Sequence, residues 1–427
     1  MSTPLSTRDL LRSLASTSSR STSDALEELR AREDFTRVAH DVLRSGTAEE
    51  KVVALRAWVL RTTPEAQSPS SAPAPQSREP QDSEDWRYLV AALDDSDATV
   101  QQAVMNVLAR IDPAAASALF LSRFEQASNT ERLTALATAQ RLQLPDALAL
   151  ARLALTAPSV DVRTAAVSLL ARQGEASDSL LIQALADTAP TIQREALRAL
   201  SRRERVPTQV FIPLLSAAAT RVQEEALQVL VLRRDSNTCE HLLPLLSAQA
   251  QSLRKHAIRA VGHIGCAGAS QQLLAMLDLH GDEEEQADLI TALGLLGGAP
   301  AWAALRTALS DPRPGIRQAA SSAWAASSTA PPDRTAVLQE RQREDPSPEV
   351  RSHITVALTT LDASTARLAL RTALTDPAPD VRKVAVQTLA RSADPDALDE
   401  LRAHRALESN PDVLRALDVS LEQRLEG

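Results

Sequence analysis

One short pattern starts at Val162-Arg163, runs through Ala166 to Leu170, and returns at steps of about 31 residues in both directions. Copies are Ile192-Gln193 with Ala196 and Leu200, Val222-Gln223 with Ala226 and Leu230, and Leu253-Arg254 with Ala257 and Val261. Ile316-Arg317 with Ala320 and Trp324, Val350-Arg351 with Ile354 and Leu358, and Val381-Arg382 with Ala385 and Leu389 follow. Weaker copies start near Glu50, Val100, Glu131, Glu285 and Val413, which makes about twelve units. A fixed period of this size confines the chain to a stacked array. Each unit then packs only on its neighbours, and one core runs along the stack.

Within a unit the periodicity is helical. Residues 299–309 place Trp302, Leu305 and Leu309 on one face, and Asp311-Pro312-Arg313-Pro314-Gly315 breaks the helix because proline lacks the N–H donor. From Ile316 a second helix begins, with Ile316, Ala319, Ala320, Ala323 and Trp324 on one stripe of 3.6-residue period. Small residues recur four places after the start (Ala166, Ala196, Ala226, Ala257, Ala320, Ala385), where helices must approach closely. The expected fold is all-α: an α-solenoid of about eleven to twelve antiparallel helix pairs. Pairs spaced by 8–10 Å would give a rod or arc on the order of 100 Å long.

Asp-Pro turns followed by a branched residue and Arg carry a family resemblance: Asp311-Pro312 with Ile316-Arg317, Asp345-Pro346 with Val350-Arg351, and Asp376-Pro377 with Val381-Arg382. The chain resembles HEAT repeat proteins, in particular the short bacterial repeats of phycobilisome-lyase type, over residues 86–427. That resemblance implies HEAT-like helix pairs and a ladder linking successive repeats, here through Arg163, Arg254, Arg317, Arg351, Arg382, Asp311, Asp345 and Asp376. Gln101, Gln193, Gln223 and Gln286 stand in the Arg position and interrupt it.

The repeat is broken once, at residues 62–85, where five prolines among Ser, Gln and acidic residues cannot bury a core and predict a flexible linker. Residues 24–61 read as an N-terminal helix pair, Asp24–Leu43 with Glu49–Leu60. Its stripe of Val53, Ala54, Ala57 and Trp58 registers with the repeat and favours a cap over a tethered element. Residues 1–23 are Ser/Thr-rich and predict a disordered leader, with a mitochondrial presequence as the alternative.

Aromatic residues are 2% of the chain, so Ala, Leu and Val must fill the core. A net charge of −9 argues against nucleic-acid binding through global electrostatics. No apolar run approaches the roughly 20 residues of a membrane span. Two cysteines, Cys239 and Cys266, fit a reducing cytoplasm.

The motifs of catalysis are missing. No glycine-rich phosphate loop, nucleophile elbow or HExxH zinc pattern occurs. One cluster could bind metal: Cys239, His241, His263 and Cys266 fall in one unit. With helices over about 238–248 and 252–264 these four converge at one edge as zinc-type ligands. The plainer reading has the cysteines as small buried hydrophobes and the histidines solvated. The run Asp282-Glu283-Glu284-Glu285 opens a second helix, where carboxylates suit the dipole, and could also dock a basic partner. Trp302 and Trp324 lie at core positions. Trp86 and Tyr88 either anchor a partner or close the array's end. His256 and His353 share one offset and read as packing residues.

These observations predict a non-catalytic scaffold or adaptor that binds protein partners on the concave face, with no cofactor and no nucleic acid. The alternatives are HEAT-fold enzymes. A phycobilin lyase would attach a bilin, and a deoxyhypusine hydroxylase needs His-Glu dipeptides, which this chain lacks. An alkylpurine DNA glycosylase needs a basic groove with aromatics.

Overall fold

The computed structural model describes residues 5–16, 22–62, 83–277, 282–392 and 396–426. Every regular element among them is helical. The chain divides into two compact units, Met1–Val206 and Pro207–Gly427.

In the first unit, α1 (Thr7–Ser16) and α2 (Thr22–Ala31) precede five helix pairs. The pairs are α3 (Phe35–Ser45) with α4 (Ala48–Thr62), α5 (Glu84–Ala91) with α6 (Ala98–Ile111), α7 (Pro113–Arg123) with α8 (Asn129–Leu142), α9 (Ala147–Ala154) with α10 (Val160–Ala171), and α11 (Asp178–Ala184) with α12 (Pro190–Ser201). Second helices stack in order, α4 on α6, α6 on α8, α8 on α10 and α10 on α12, which makes a two-layer solenoid.

The second unit repeats this plan. A 3-10 segment, Thr208–Ser216, pairs with α13 (Thr220–Arg233). The short α14 (Cys239–Leu242) runs into a 3-10 turn, Leu243–Ser247, and pairs with α15 (Gln251–Ile264). Then come α16 (Ser270–Leu277) with α17 (Glu283–Leu296), α18 (Ala299–Ala308) with α19 (Pro314–Ala326), α20 (Arg334–Glu344) with α21 (Pro348–Leu358), α22 (Ala363–Leu374) with α23 (Pro379–Arg391), and α24 (Ala397–Leu407) with α25 (Pro411–Glu426). About a dozen HEAT-like pairs therefore make up the two stacks.

The repeat motif is the core. Val162, Ala166 and Leu170 are fully buried, as are the matching triplets at 192, 222, 350 and 381. Second helices begin with Pro190, Pro314, Pro348 and Pro379, so α19 starts ahead of Ile316. Proline suits this first position because its missing N–H has no partner there in any helix. Pro213 and Pro244 instead remove donors from the first helices at 208–216 and 239–247. The continuous helix expected over 238–248 is accordingly a short α-turn running into 3-10 structure.

The N-terminus differs from expectation in three ways. Residues 7–16 form a helix that buries Leu10 and Leu11 and packs on α4, where a disordered leader is predicted. The single helix expected over 24–43 is two, separated around Asp34. The predicted linker ends earlier than residue 85, because Ser83 caps α5 by accepting from Trp86 N–H. Residues 63–82 of that linker lie outside the described residues. On either side of them the two segments meet: His40 Nε2 lies 2.8 Å from Asp85, and Lys51 donates to Asp95 at 2.6 Å.

Two glycines set the spacing of the second layer. A Cβ on Gly262 would stand 2.7 Å from the Ala292 Cα, and one on Gly294 would stand 2.6 Å from the Ala323 Cβ. Helices α15, α17 and α19 thus approach at backbone contact. Gly262→Ala should push α15 off α17 and cost about 1–3 kcal/mol, the range of overpacked cores. Chemical denaturation followed by circular dichroism measures it, and a variant as stable as the parent would contradict the close approach.

Candidate protein-interaction face

Successive repeats are tied by arginines. Arg163 donates through two nitrogens to Asp187, at 2.7 and 3.0 Å, and its third nitrogen donates to the Ala157 and Pro158 carbonyls of its own turn. Arg254 pairs in the same way with Glu285, Arg317 with Asp345, Arg351 with Asp376 and Arg382 with Glu408, all at 2.7–2.9 Å. The acids also accept backbone N–H groups of their turns, at Ala189, Ser347, Ala378 and Asn410. Four of the five rungs therefore fix their own inter-helix turn and the next one, while Arg254 reaches Glu285 in the first turn of α17. Burial is deepest at Arg317–Asp345, where the side chains are 7% and 1% exposed.

Two of the expected ladder acids, Asp345 and Asp376, take an arginine from the preceding repeat. The third does not: the Asp311 carboxylate pairs with Arg313 of its own turn, because Gln286 stands where the preceding arginine would be. A cavity of about 660 Å³ borders Gln286, Asp311 and Arg313. Asp187, Glu285 and Glu408 complete other rungs without an Asp-Pro turn to mark them. Lys51–Asp95 holds the same relation between α4 and the turn before α6.

The electrostatics follow from these bonds. Burial raises the Asp187 carboxyl, but Arg163 and the Ala189 N–H outweigh it and hold the group below the usual range. Arg382, with the N–H groups of Asn410 and Ser409, brings Glu408 from 4.5 to about 2 against the opposing effect of burial. His404, whose Nε2 is 3.3 Å from Glu408, is lowered chiefly by burial.

A second row crosses neighbouring second helices on their outer face. At three junctions it joins the sixth residue after one helix's repeat-start residue to the third residue after the next helix's repeat-start residue. Gln228 meets His256 at 3.5 Å, Arg259 donates to Asp288 at 2.8 Å, and Ser322 lies 2.6 Å from His353. The two histidines are cross-links in this row.

The acidic run is largely neutralised from within. Asp282 caps α17 by accepting from the Glu284 and Glu285 N–H groups, Glu285 takes Arg254, and Glu284 takes Lys255 at 2.5 Å. Glu283 lies against Gly315. Trp86 is buried, while Tyr88 stacks on His40 at 4.1 Å and bonds Arg44. Tyr88 thus seats α5 on α3. Trp302 and Trp324 meet edge to face at 5.4 Å in the core.

The expected convergence of Cys239 and Cys266 occurs, but as a disulfide. A sulfur spent on its partner is no zinc ligand. No cluster of three or more His, Cys, Asp or Glu residues suited to metal forms among the described residues. His241 instead faces Glu240 at 3.5 Å. The pairing also removes the cysteine argument for a reducing cytoplasm. No helix of the described residues is long and apolar enough to cross a membrane.

These features define a HEAT-repeat solenoid without a catalytic constellation among the described residues. A family model for HEAT repeats matches residues 270–359 and 335–422. No curated protein matches the chain in sequence. Among solved structures, Kap121p superposes with a TM-score of 0.61 at 14% identity, over 98% of this chain and 52% of that one. Kap121p bound to Ste12p gives 0.61 at 14% identity, over 100% and 53%. The Kap95:Nup1 complex gives 0.58 at 12% identity, over 99% and 67%. The chain spans about half the length of Kap121p, and identities this low show the fold alone. The resemblance to lyase-type bacterial repeats is corrected by these matches, which place the likeness with karyopherin folds. The CpcE–CpcF phycocyanin lyase complex of Nostoc sp. PCC7120, at 20% identity, reaches a TM-score of 0.34 over 52% of this chain and 92% of that one, and carries no argument.

Arg317→Ala strands a buried carboxylate and should cost about 3–5 kcal/mol, the range for breaking a buried pair. A urea titration followed by circular dichroism measures it, and Arg205→Ala, at the exposed Arg205–Glu175 pair, should leave stability unchanged there. The Glu408 carboxyl is depressed on folding, so its stabilisation is full above its unfolded value of 4.5 and is lost as pH falls toward about 2. Glu408→Gln should therefore lower the neutral-pH melting temperature and flatten its acid decline. A variant parallel to wild type at every pH would refute this.

Proposed function

We propose that the chain is a non-catalytic scaffold whose protein partners dock along the second-helix side of each stack, the concave side where such a stack curves. The observation that carries this reading is the uninterrupted succession of second helices. Each presents an outer row to solvent while its inner stripe is spent on the core. The likeness to Kap121p and Kap95, which are described in complexes with Ste12p and Nup1, supports it at the level of the fold.

In the outer row, α21 contributes Val356, 43% exposed, and the first helix α22 carries Leu368, 52% exposed, as a matched control. Affinity purification of the full chain from native lysate, with mass spectrometry of bound proteins, tests the reading. Val356→Glu should deplete specific partners and Leu368→Glu should not, with both variants melting like wild type. Equal depletion by both, or by neither, would contradict docking on the second-helix side.

A further inference from the structure

The outer row of cross-helix bonds is missing between α23 and α25, as it is where Ala319 and Val384 occupy the third position. The positions that hold Arg259 and Asp288 between α15 and α17 are occupied here by Gln387 and Ala416, which do not bond. Between α15 and α17, Lys255 also reaches Glu284, so the surface there is laced and its charge cancelled. The equivalent residues at the other pair are Lys383 and Asp412. Asp412 turns instead to Arg415 on its own helix, and Lys383 forms no ion pair among the described residues. Between α23 and α25 a groove of about 460 Å³ opens, lined by Lys383, Gln387, Arg391, Arg415, Ala416 and Val419 among others.

The groove has a definite character. Lys383, Gln387 and Arg391 follow one another at intervals of one helical turn, so the two cations stand about 12 Å apart along α23. Like Lys383, Arg391 has no ion-pair partner among the described residues. Arg415 holds Asp412 only as an exposed pair within one helix, with side chains 78% and 63% accessible, an arrangement that contributes little and opens readily. Val419, 52% exposed, and Ala416 add an apolar strip beside the charges. Three cations against one carboxylate make a basic site on a chain of net charge −9.

We propose that this groove binds an acidic, carboxylate-bearing segment of a partner protein. Glutamate or aspartate side chains pair with Lys383, Arg391 and Arg415, and an apolar side chain rests on Ala416 and Val419. A peptide fits these features better than a nucleic acid. A phosphodiester strand makes no use of the apolar strip, and its uniform charge is repelled by the rest of the chain. The proposal rests on the scaffold reading and supplies the chemistry of one of its partners.

Fluorescence anisotropy of the full chain tests it. The probes are a labelled, end-blocked, glutamate-rich peptide with a central leucine, its glutamine counterpart, and a single-stranded DNA of equal charge. The glutamate peptide should bind saturably, and the glutamine peptide should bind at least about tenfold more weakly. Lys383→Glu with Arg391→Glu should weaken the glutamate peptide by about tenfold or more. Gln387→Arg with Ala416→Asp rebuilds the missing cross-helix pair, so it should close the groove and lower binding while keeping or raising the melting temperature. Binding that ignores both double variants, equal binding of the glutamine peptide, or no binding would overturn the proposal. Tighter binding of DNA that both double variants abolish would assign the groove to nucleic acid instead. Each of these failures leaves the Val356→Glu result untouched, so the fate of this groove and that of the scaffold reading are separable.

Discussion

A guanidinium that reaches from its own turn to the next repeat ties four junctions of the second stack and one of the first. Thin, alanine-rich helices bury little area per residue, and 2% aromatic content leaves few large side chains to set how one repeat sits on the next. The rung arginine supplies that registration. Its fork reaches a carboxylate in the next turn while its remaining nitrogen holds the carbonyls of its own turn. Buried ion pairs are weak evidence for stability but good evidence for a specified geometry. Here the geometry is the offset between neighbouring repeats.

The interruptions obey the same logic. Gln223 and Gln101 keep the bond to their own turn, at Leu215 O and Asp95 O, but glutamine lacks the charge and the fork to seat a carboxylate in the next. The turn after Gln223, Ser247-Ala-Gln-Ala250, carries no acid at all. Opposite Gln286 the acid survives as Asp311 and is satisfied by Arg313 from its own side. At Gln223 donor and acceptor are lost together, and at Gln286 the acceptor is rescued locally.

The helix pairs were legible in the sequence because burial imposes a 3.6-residue stripe, and Val162, Ala166 and Leu170 state it without ambiguity. The ladder was legible where proline marks the turn, at Asp345 and Asp376. Asp187, Glu285 and Glu408 escaped because no proline flags them, and Glu285 was hidden inside an acidic run that reads as a helix start. Lys51–Asp95 escaped because the Pro/Ser segment lies between its partners. The first helix was masked by serines and threonines, although Leu10, Leu11 and Leu14 carried its stripe. The groove at Gln387 and Ala416 could not be read at all, since it depends on how two helices face each other, which the repeat pattern does not state. The disulfide was foreshadowed by the convergence of Cys239 and Cys266, but spacing alone does not choose between a metal and a bond.

That disulfide has a bearing on how the second unit comes apart. It joins α14, in the first-helix layer, to the loop that leads into α16, across a separation of 27 residues. It sits one repeat beyond Gln223, where the arginine tie is missing. In a nearest-neighbour array, opening at a junction without its tie spreads to the repeats on either side. A covalent staple placed just past that junction halts the spread on one side. Loosening from Gln223 is thereby kept away from the α15–α17 junction that Arg254, Lys255 and Arg259 lace, for as long as the two sulfurs stay joined.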